Sequence, residues 1–271
     1  MEDRVSISIA DGIADVRLVR ADKMNALDQA MFEALVATTD RLSKEKSVRV
    51  VVLSGEGRAF CAGLDMGRFA AMKDKGGNGV AGGESRDLTK RTHGQANFPQ
   101  QAVWGWRQLP VPVIAAITGV AFGGGFQLAL GADIRLMAPD ARMSIMEIKW
   151  GLVPDMAGTP ILASLVRDDI LRELTYTGRI FSAQEAVAYG LATRIVDDSR
   201  AAAMEMAREI AGKNPHAIRA AKRMMSNLSV DPGPALLAES VEQQKLIGSP
   251  NQTEAVRANI EKRAPRFAEA G

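Results

Sequence analysis

One pattern occurs twice in this chain, and it limits the fold more than any other feature. Residues 48–53 form a short apolar run rich in β-branched side chains, followed by Ser54-Gly55 and then Phe60-Cys61-Ala62-Gly63-Leu64-Asp65. Residues 111–117 form a second run, followed by Thr118-Gly119 and then Phe122-Gly123-Gly124-Gly125-Phe126-Gln127. Each reads as a buried strand, a glycine turn, a Phe and a step of small residues into a helix. Repetition of that unit predicts an α/β chain assembled from strand-and-helix modules.

The remaining elements follow from periodicity. Val5, Ile7 and Ile9 alternate with polar residues, Asp11-Gly12 supplies a turn, and 13–19 alternate again, which predicts a hairpin. Met31, Leu35, Thr38 and Leu42 form one stripe, predicting a helix over 28–46. Helical spacing follows Gly125 over 126–130; strands are expected at 133–137 and, after the Pro139-Asp140 turn, at 142–147. The glycine-rich stretch 73–87 reads as a flexible surface loop or a lid. From about residue 200 the pattern is helical alone, over 201–211, 216–227, 234–247 and 253–262, with Pro215, Pro232, Pro234 and Pro250 as separators.

Composition removes several function classes. With 46% hydrophobic and 24% charged residues, the chain has material for a sizeable core and is not of the disordered class. Lys+Arg 34 against Asp+Glu 32 leaves +2, no basic field of the kind that holds nucleic acid. The single Cys61 forms no internal disulfide and points to a reducing compartment. The Met-Glu-Asp-Arg start lacks a signal-peptide run, and no apolar stretch of about 18 residues offers a membrane span. A soluble cytoplasmic protein is expected.

For chemistry, the glycine steps come first. N–H groups at a helix start have no intrahelical partner, and two aimed at one point make an oxyanion hole. Tight turns and close packing are the alternative explanation of the same glycines, and from glycine alone the simpler one. No G-x-G-x-x-G or Walker sequence supports a nucleotide site. Glu147 sits among Ile145, Met146 and Ile148, and Asp155 follows Pro154; Gly151 and Pro154 between them exclude one continuous helix. A loop can bring both carboxylates into one pocket for proton transfer, or Asp155 caps a helix and Glu147 is salt-bridged. His93 and His216 fit no metal-ligand pattern, so no metal is expected. Cys61 is either a nucleophile or a small core residue. Trp104 and Trp106 line an acyl pocket or fill the core; Arg20 and Lys23 meet phosphate or remain solvated.

Four segments, in order, carry a resemblance. Gly57-Arg58-Ala59-Phe60-Cys61-Ala62-Gly63-Leu64-Asp65-Met66 resembles the first oxyanion-hole motif of the crotonase, or enoyl-CoA hydratase/isomerase, family. Gly119-Val120-Ala121-Phe122-Gly123-Gly124-Gly125-Phe126-Gln127-Leu128 is similar to the second. Arg20-Ala21-Asp22-Lys23-Met24-Asn25-Ala26-Leu27 resembles the N-terminal coenzyme A segment, and 147–158 the segment of the later catalytic acid. The resemblance implies the α/β crotonase (ClpP-like) spiral of repeated β-β-α units over 1–199. It also implies a helical C-terminal region, 200–271, that builds a homo-trimer or a dimer of trimers.

It further implies that the N–H groups of Leu64 and Gly124 hold the thioester oxygen of an acyl-CoA. Lys23, Met24, Ala26, Ala62, Leu64, Asp65, Met66, Gly123 and Gly124 then line the substrate site. Coenzyme A is part of the substrate, and no separate cofactor, nucleic acid or membrane is implied. The family's hydratases use two glutamates to handle water; here Gln127 stands at the first position and Glu147 at the second. An amide is neither a useful acid nor a useful base at neutral pH. Glu147 with Asp155, spaced by eight, is instead similar to the pair in dienoyl-CoA isomerases, which also carry an acid where Gln127 lies. The expected activity is a double-bond shift by Glu147 with Asp155. Hydration with Gln127 positioning water is the alternative within the family, and acyl-CoA binding without turnover the alternative outside enzymes.

Overall fold

The computed structural model describes residues 3–65, 67, 87–213, 215–226 and 233–263. Met66 and, except for Asp87, the glycine-rich stretch 73–87 lie outside the described residues. Strands β1 (Val5–Ala10) and β2 (Ile13–Leu18) form the expected antiparallel hairpin. Asp11 and Gly12 have φ of 52° and 79°, the left-handed backbone that a two-residue hairpin turn requires. Helix α1 (Gln29–Lys44) starts at Asp28, whose carboxylate accepts the Met31 N–H.

β2 then pairs in parallel with β3 (Val50–Gly55), β3 with β4 (Val113–Ile117), β4 with β6 (Ile134–Met137) and β6 with β9 (Arg194–Ile195). A second sheet joins β5 (Val120–Phe122), β7 (Arg142–Ser144) and β8 (Phe181–Ser182). β4, β5 and α3 (Gly124–Leu130) make one large-sheet strand, small-sheet strand and helix in succession. The preceding copy is stacked on it: Cys61 forms a parallel bridge with Ala121 of β5. The two repeats predicted from sequence are therefore neighbours, and both glycine steps emerge on one side.

Strand alternation divides the large sheet's burial between two faces. Val51 and Leu53 join Phe32, Phe60, Trp106 and Phe126 in the main core. Val50, Val52, Ile114, Ala116 and Leu136 face α7 (Ser199–Ala211), which meets them with Ala203, Ala207 and Ala211. The small residues at four-residue spacing let the helix lie close, and each fully buried Val or Ile contributes about 1.5–3 kcal/mol. Helix α7 thus closes the core, and the boundary anticipated at 199/200 runs through its first turn.

Beyond it, α8 (Pro215–Ser226) is tied to the sheet by Lys222 Nζ, 2.5 and 2.6 Å from the Asp133 carboxylate oxygens. Next, α9 (Gly233–Leu246) buries Leu236, Ser240 and Gln243, and α10 (Pro250–Ile260) buries Ala255 and Val256. Pro215 and Pro250 separate helices by opening them, since the first helical residue needs no N–H partner.

Four helices were not evident from sequence: α2 (Phe98–Gln108), α4 (Gly158–Leu162), α5 (Asp168–Thr177) and α6 (Ala183–Ala188). The capping boxes Asn97/Gln100 and Ser182/Glu185 are the signals that locate two of them. The strand expected over 142–147 stops at Ser144. Gly151, at φ 68°, caps a 3-10 turn over Glu147–Trp150 instead. Between that turn and α5 lies the short helix α4 (Gly158–Leu162). Among the described residues, no helix is long and apolar enough to cross a membrane.

Candidate active site

The two glycine steps touch. Gly63 has φ +90°, and a Cβ there would lie 2.6 Å from Phe122 O and 3.6 Å from Gly124 N. A Cβ on Gly125 would lie 2.1 Å from Cys61 O, so the approach of the repeats excludes a side chain at that position. Leu27 N–H donates to Gly63 O at 2.7 Å and Asp65 N–H to Leu27 O at 3.1 Å, which pins the backbone on either side of Leu64. The N–H groups of Leu64 and Gly124 themselves donate to no described acceptor. Gly124 opens α3, where an N–H has no intrahelical partner and the helix dipole favours negative charge. Two adjacent unused donors are what an oxyanion needs.

Glu147 stands against this step: a Cβ on Gly123 would lie 3.6 Å from its Oε1. Its orientation depends on Gln127, which points from α3. Gln127 Nε2 donates to Glu147 Oε1 at 2.6 Å. Gln127 Oε1 accepts the N–H groups of Met156 at 2.9 Å and Gly158 at 3.0 Å. Those two donors fix which end of the amide is oxygen, so the nitrogen must face Glu147. Gly158 is required here, since a Cβ would lie 2.7 Å from that oxygen. Gln127 therefore ties the start of α4 to the acid, a role that residue type alone did not disclose.

A cavity of about 730 Å³ is lined by Ala62, Gly63, Leu64, Asp65, Gly123, Gly124, Glu147 and Asp155, with Lys23, Met24 and Ala26 from the N-terminal segment. Glu147 and Asp155 are each 9% exposed, and both line it, so the Gly151–Pro154 turn does bring the two carboxylates to one pocket. Gln127 is buried behind the wall at 1%. Phe32, Pro99, Met146, Trp150, Leu152, Met156 and Ile180 supply apolar wall that no single motif announced.

The family model described as Enoyl-CoA hydratase/isomerase matches residues 8–270. The chain belongs to the enoyl-CoA hydratase/isomerase family. It is 32% identical to carnitinyl-CoA dehydratase of Proteus mirabilis, over 98% of this chain and 99% of that one. It is 31% identical to mitochondrial methylglutaconyl-CoA hydratase of Mus musculus, over 94% and 79% of the two chains. Enoyl-CoA hydratase from Bacillus anthracis has a similar structure, with a TM-score of 0.73 at 33% identity over 97% and 98%. Carnitinyl-CoA hydratase from Mycobacterium avium gives 0.82 at 25% identity over 98% and 99%. The fold is the crotonase spiral, and an acyl-CoA thioester is consistent with the family.

In this member of the enoyl-CoA hydratase/isomerase family, several residues depart from their expected parts. Arg20 is not a free phosphate cation. Its Nη1 lies 2.6 Å from Asp65 Oδ2 and 2.9 Å from Ala26 O, and its Nη2 lies 3.6 Å from Asp28 Oδ2, which Arg4 also holds. Burial pushes the Asp65 carboxyl up, but the Gly67 N–H and Arg20 outweigh it and hold the carboxyl below its ordinary range. Asp65 lines the cavity with its carboxylate already committed to Arg20 and the Gly67 N–H. Asn25, at φ 56°, bonds Arg20 N–H, Glu56 O and Ala59 O, and so joins the N-terminal segment to the first glycine step.

Cys61 is fully buried, donates to Asn25 O at 3.1 Å and has its thiol pushed up to about 12 by burial, so it is a core residue and no nucleophile. Trp106 is buried in the main core and Trp104 packs against it; neither lines the cavity. Among the described residues, no group of three His, Cys, Asp or Glu is placed to hold a metal ion.

Proposed function

We propose that this enzyme moves protons on an enoyl-CoA thioester, with Glu147 as general acid/base and the Leu64 and Gly124 N–H groups holding the thioester oxygen. The observation that carries the reading is the Gln127 amide, committed to Glu147 on one side and to two backbone N–H groups on the other. Of the four carboxylates that line the cavity, Asp22 and Asp65 belong to the N-terminal segment and the first glycine step, and Asp65 is held by Arg20; Glu147 and Asp155 are the two on the later-acid segment.

In the favoured reaction Glu147 removes a proton from carbon 2 of a 3-enoyl-CoA. The electron pair moves onto the thioester oxygen, where two N–H donors stabilise the enolate. Its collapse shifts the double bond, and the proton returns at carbon 4. In a 3,5-diene the proton returns further along, where Asp155 serves. Addition of water is a second reading. It is favoured by the names of the relatives, which are hydratases and a dehydratase; none of those cited is named an isomerase.

A panel of 2-enoyl-, 3-enoyl- and 3,5-dienoyl-CoA esters in heavy water separates the readings by mass spectrometry. A double-bond shift keeps the formula and introduces deuterium, whereas hydration adds the mass of water. Bound esters that remain unchanged indicate a binding protein. The Asp155→Asn variant is expected to slow the diene reaction more than the single shift. Fast hydration that survives Asp155→Asn and fails in Gln127→Ala reverses the preference.

We further assign subunit contacts to the helical region 200–271, as trimer or dimer of trimers. The helix-only region beyond residue 200 and the likeness to the family motivate this. Light scattering of the intact chain tests it, and a monomer at micromolar concentration refutes it.

A further inference from the structure

One buried polar group on the cavity wall takes no part in the chemistry above. Gln243, on α9, is 1% exposed and lines the same cavity as Glu147 and Asp155. Its Oε1 accepts the Val153 N–H at 3.4 Å, and this orients the amide, because turning it over would set two donors against each other. The amide nitrogen donates to no described residue. The nitrogen is not sealed from solvent, so on this cavity wall it meets water or a ligand. Val153 lies two residues before Asp155, which places this donor beside the segment carrying the second acid.

We infer that Gln243 is a specificity-determining residue: its amide nitrogen receives a neutral oxygen, a hydroxyl or a keto carbonyl, on the acyl chain of the thioester. The inference rests on the acyl-CoA reading of this cavity. A neutral oxygen fits better than a carboxylate at this donor, because Asp155 lies two residues from its partner Val153 and repels a further anion, whereas the lysines of the cavity, Lys23 and Lys149, belong to other segments. A plain hydrocarbon chain would displace water from the amide and leave it without an acceptor, which opposes binding.

Calorimetry of the full-length protein with unreactive saturated esters tests this apart from catalysis. The probes are butyryl- and valeryl-CoA, their 4-hydroxy and 5-hydroxy derivatives, and glutaryl-CoA. At least one hydroxylated ester is expected to bind about tenfold or more tighter than its parent, the effect of satisfying one buried donor. Gln243→Met should remove that difference chiefly by tightening the parent ester, since no donor is then stripped of water without an acceptor in return. Equal affinities of parent and hydroxylated esters for the unaltered protein overturn the inference, and that comparison requires no variant. A preference that persists in Gln243→Met, or strongest binding of glutaryl-CoA, overturns it as well. Failure of every ester to bind refutes instead the acyl-CoA reading on which it rests.

Discussion

Replacing Gln127 by Glu makes a perturbation whose outcome can be worked from distances. Gln127 Nε2 and Glu147 Oε1 are 2.6 Å apart. In Gln127→Glu that contact becomes two carboxylate oxygens at the same separation. Two unit charges there repel by about 6 kcal/mol at an effective dielectric constant of about 20. This corresponds to roughly four to five pK units, so the pair holds one proton across neutral pH. An O–H···O⁻ bond is about 2.5–2.7 Å long, so the shared proton fits without movement. The other carboxylate oxygen still accepts the Met156 and Gly158 N–H groups, and the fold should persist.

The variant then contains the two proton-exchanging groups that hydration uses. General acid/base catalysis is worth about 10²–10⁴-fold, so crotonyl-CoA hydration, followed as loss of enoyl absorbance, should rise by about that range. Its pH–rate profile should gain an alkaline limb absent from the unaltered enzyme, as the shared proton is lost. A folded Gln127→Glu protein with unchanged hydration and an unchanged profile would refute the assignment of Gln127 as the residue that withholds water chemistry.

Other expectations are simpler to score. Gly124→Pro deletes one oxyanion donor, and turnover should fall by about 10²–10³-fold with an unchanged circular dichroism spectrum; near-normal turnover would remove the assignment. Asp28 and Asp65 are held below their ordinary range despite burial, by the Arg4, Met31 and Gly67 donors and by Arg20. Depressed carboxyls contribute stability above the unfolded pKa, about 3.9, and lose it as pH falls through the folded value. The unfolding midpoint should therefore drop below about pH 4, and less steeply in Asp65→Asn. Cys61 should resist iodoacetamide at neutral pH until the chain unfolds, since burial keeps its thiol protonated.

Backbone chemistry was the most legible part of this chain. Gly63, Gly123, Gly124 and Gly125 could be placed from sequence because a strand, a turn and a close approach leave so few residue types possible. Glu147 and Asp155 were legible as residue types, and Gly151 and Pro154 as the break between them. What each side chain touches was not. Whether Arg20 meets phosphate or Asp65 depends on residues 45 positions apart, and whether Trp106 lines a pocket depends on which way α2 rolls. The capping box Asn97/Gln100 announces that α2 exists but not what it faces. Gln243 carried no signal at all, since an amide on a helix acquires meaning only when burial and the missing acceptor are known.

The central claim is that Glu147 exchanges the carbon 2 proton of a thioester whose oxygen is held by the Leu64 and Gly124 N–H groups. Deuterium entry at carbon 2 of 3-enoyl-CoA in heavy water, followed by mass spectrometry, measures that step in the favoured reaction. The enzyme should incorporate deuterium at carbon 2, and Glu147→Gln should do so about 10²–10⁴-fold more slowly while binding the ester with unchanged affinity. Incorporation by Glu147→Gln at the rate of the unaltered enzyme would contradict the account, because the proton would then be moved by another group.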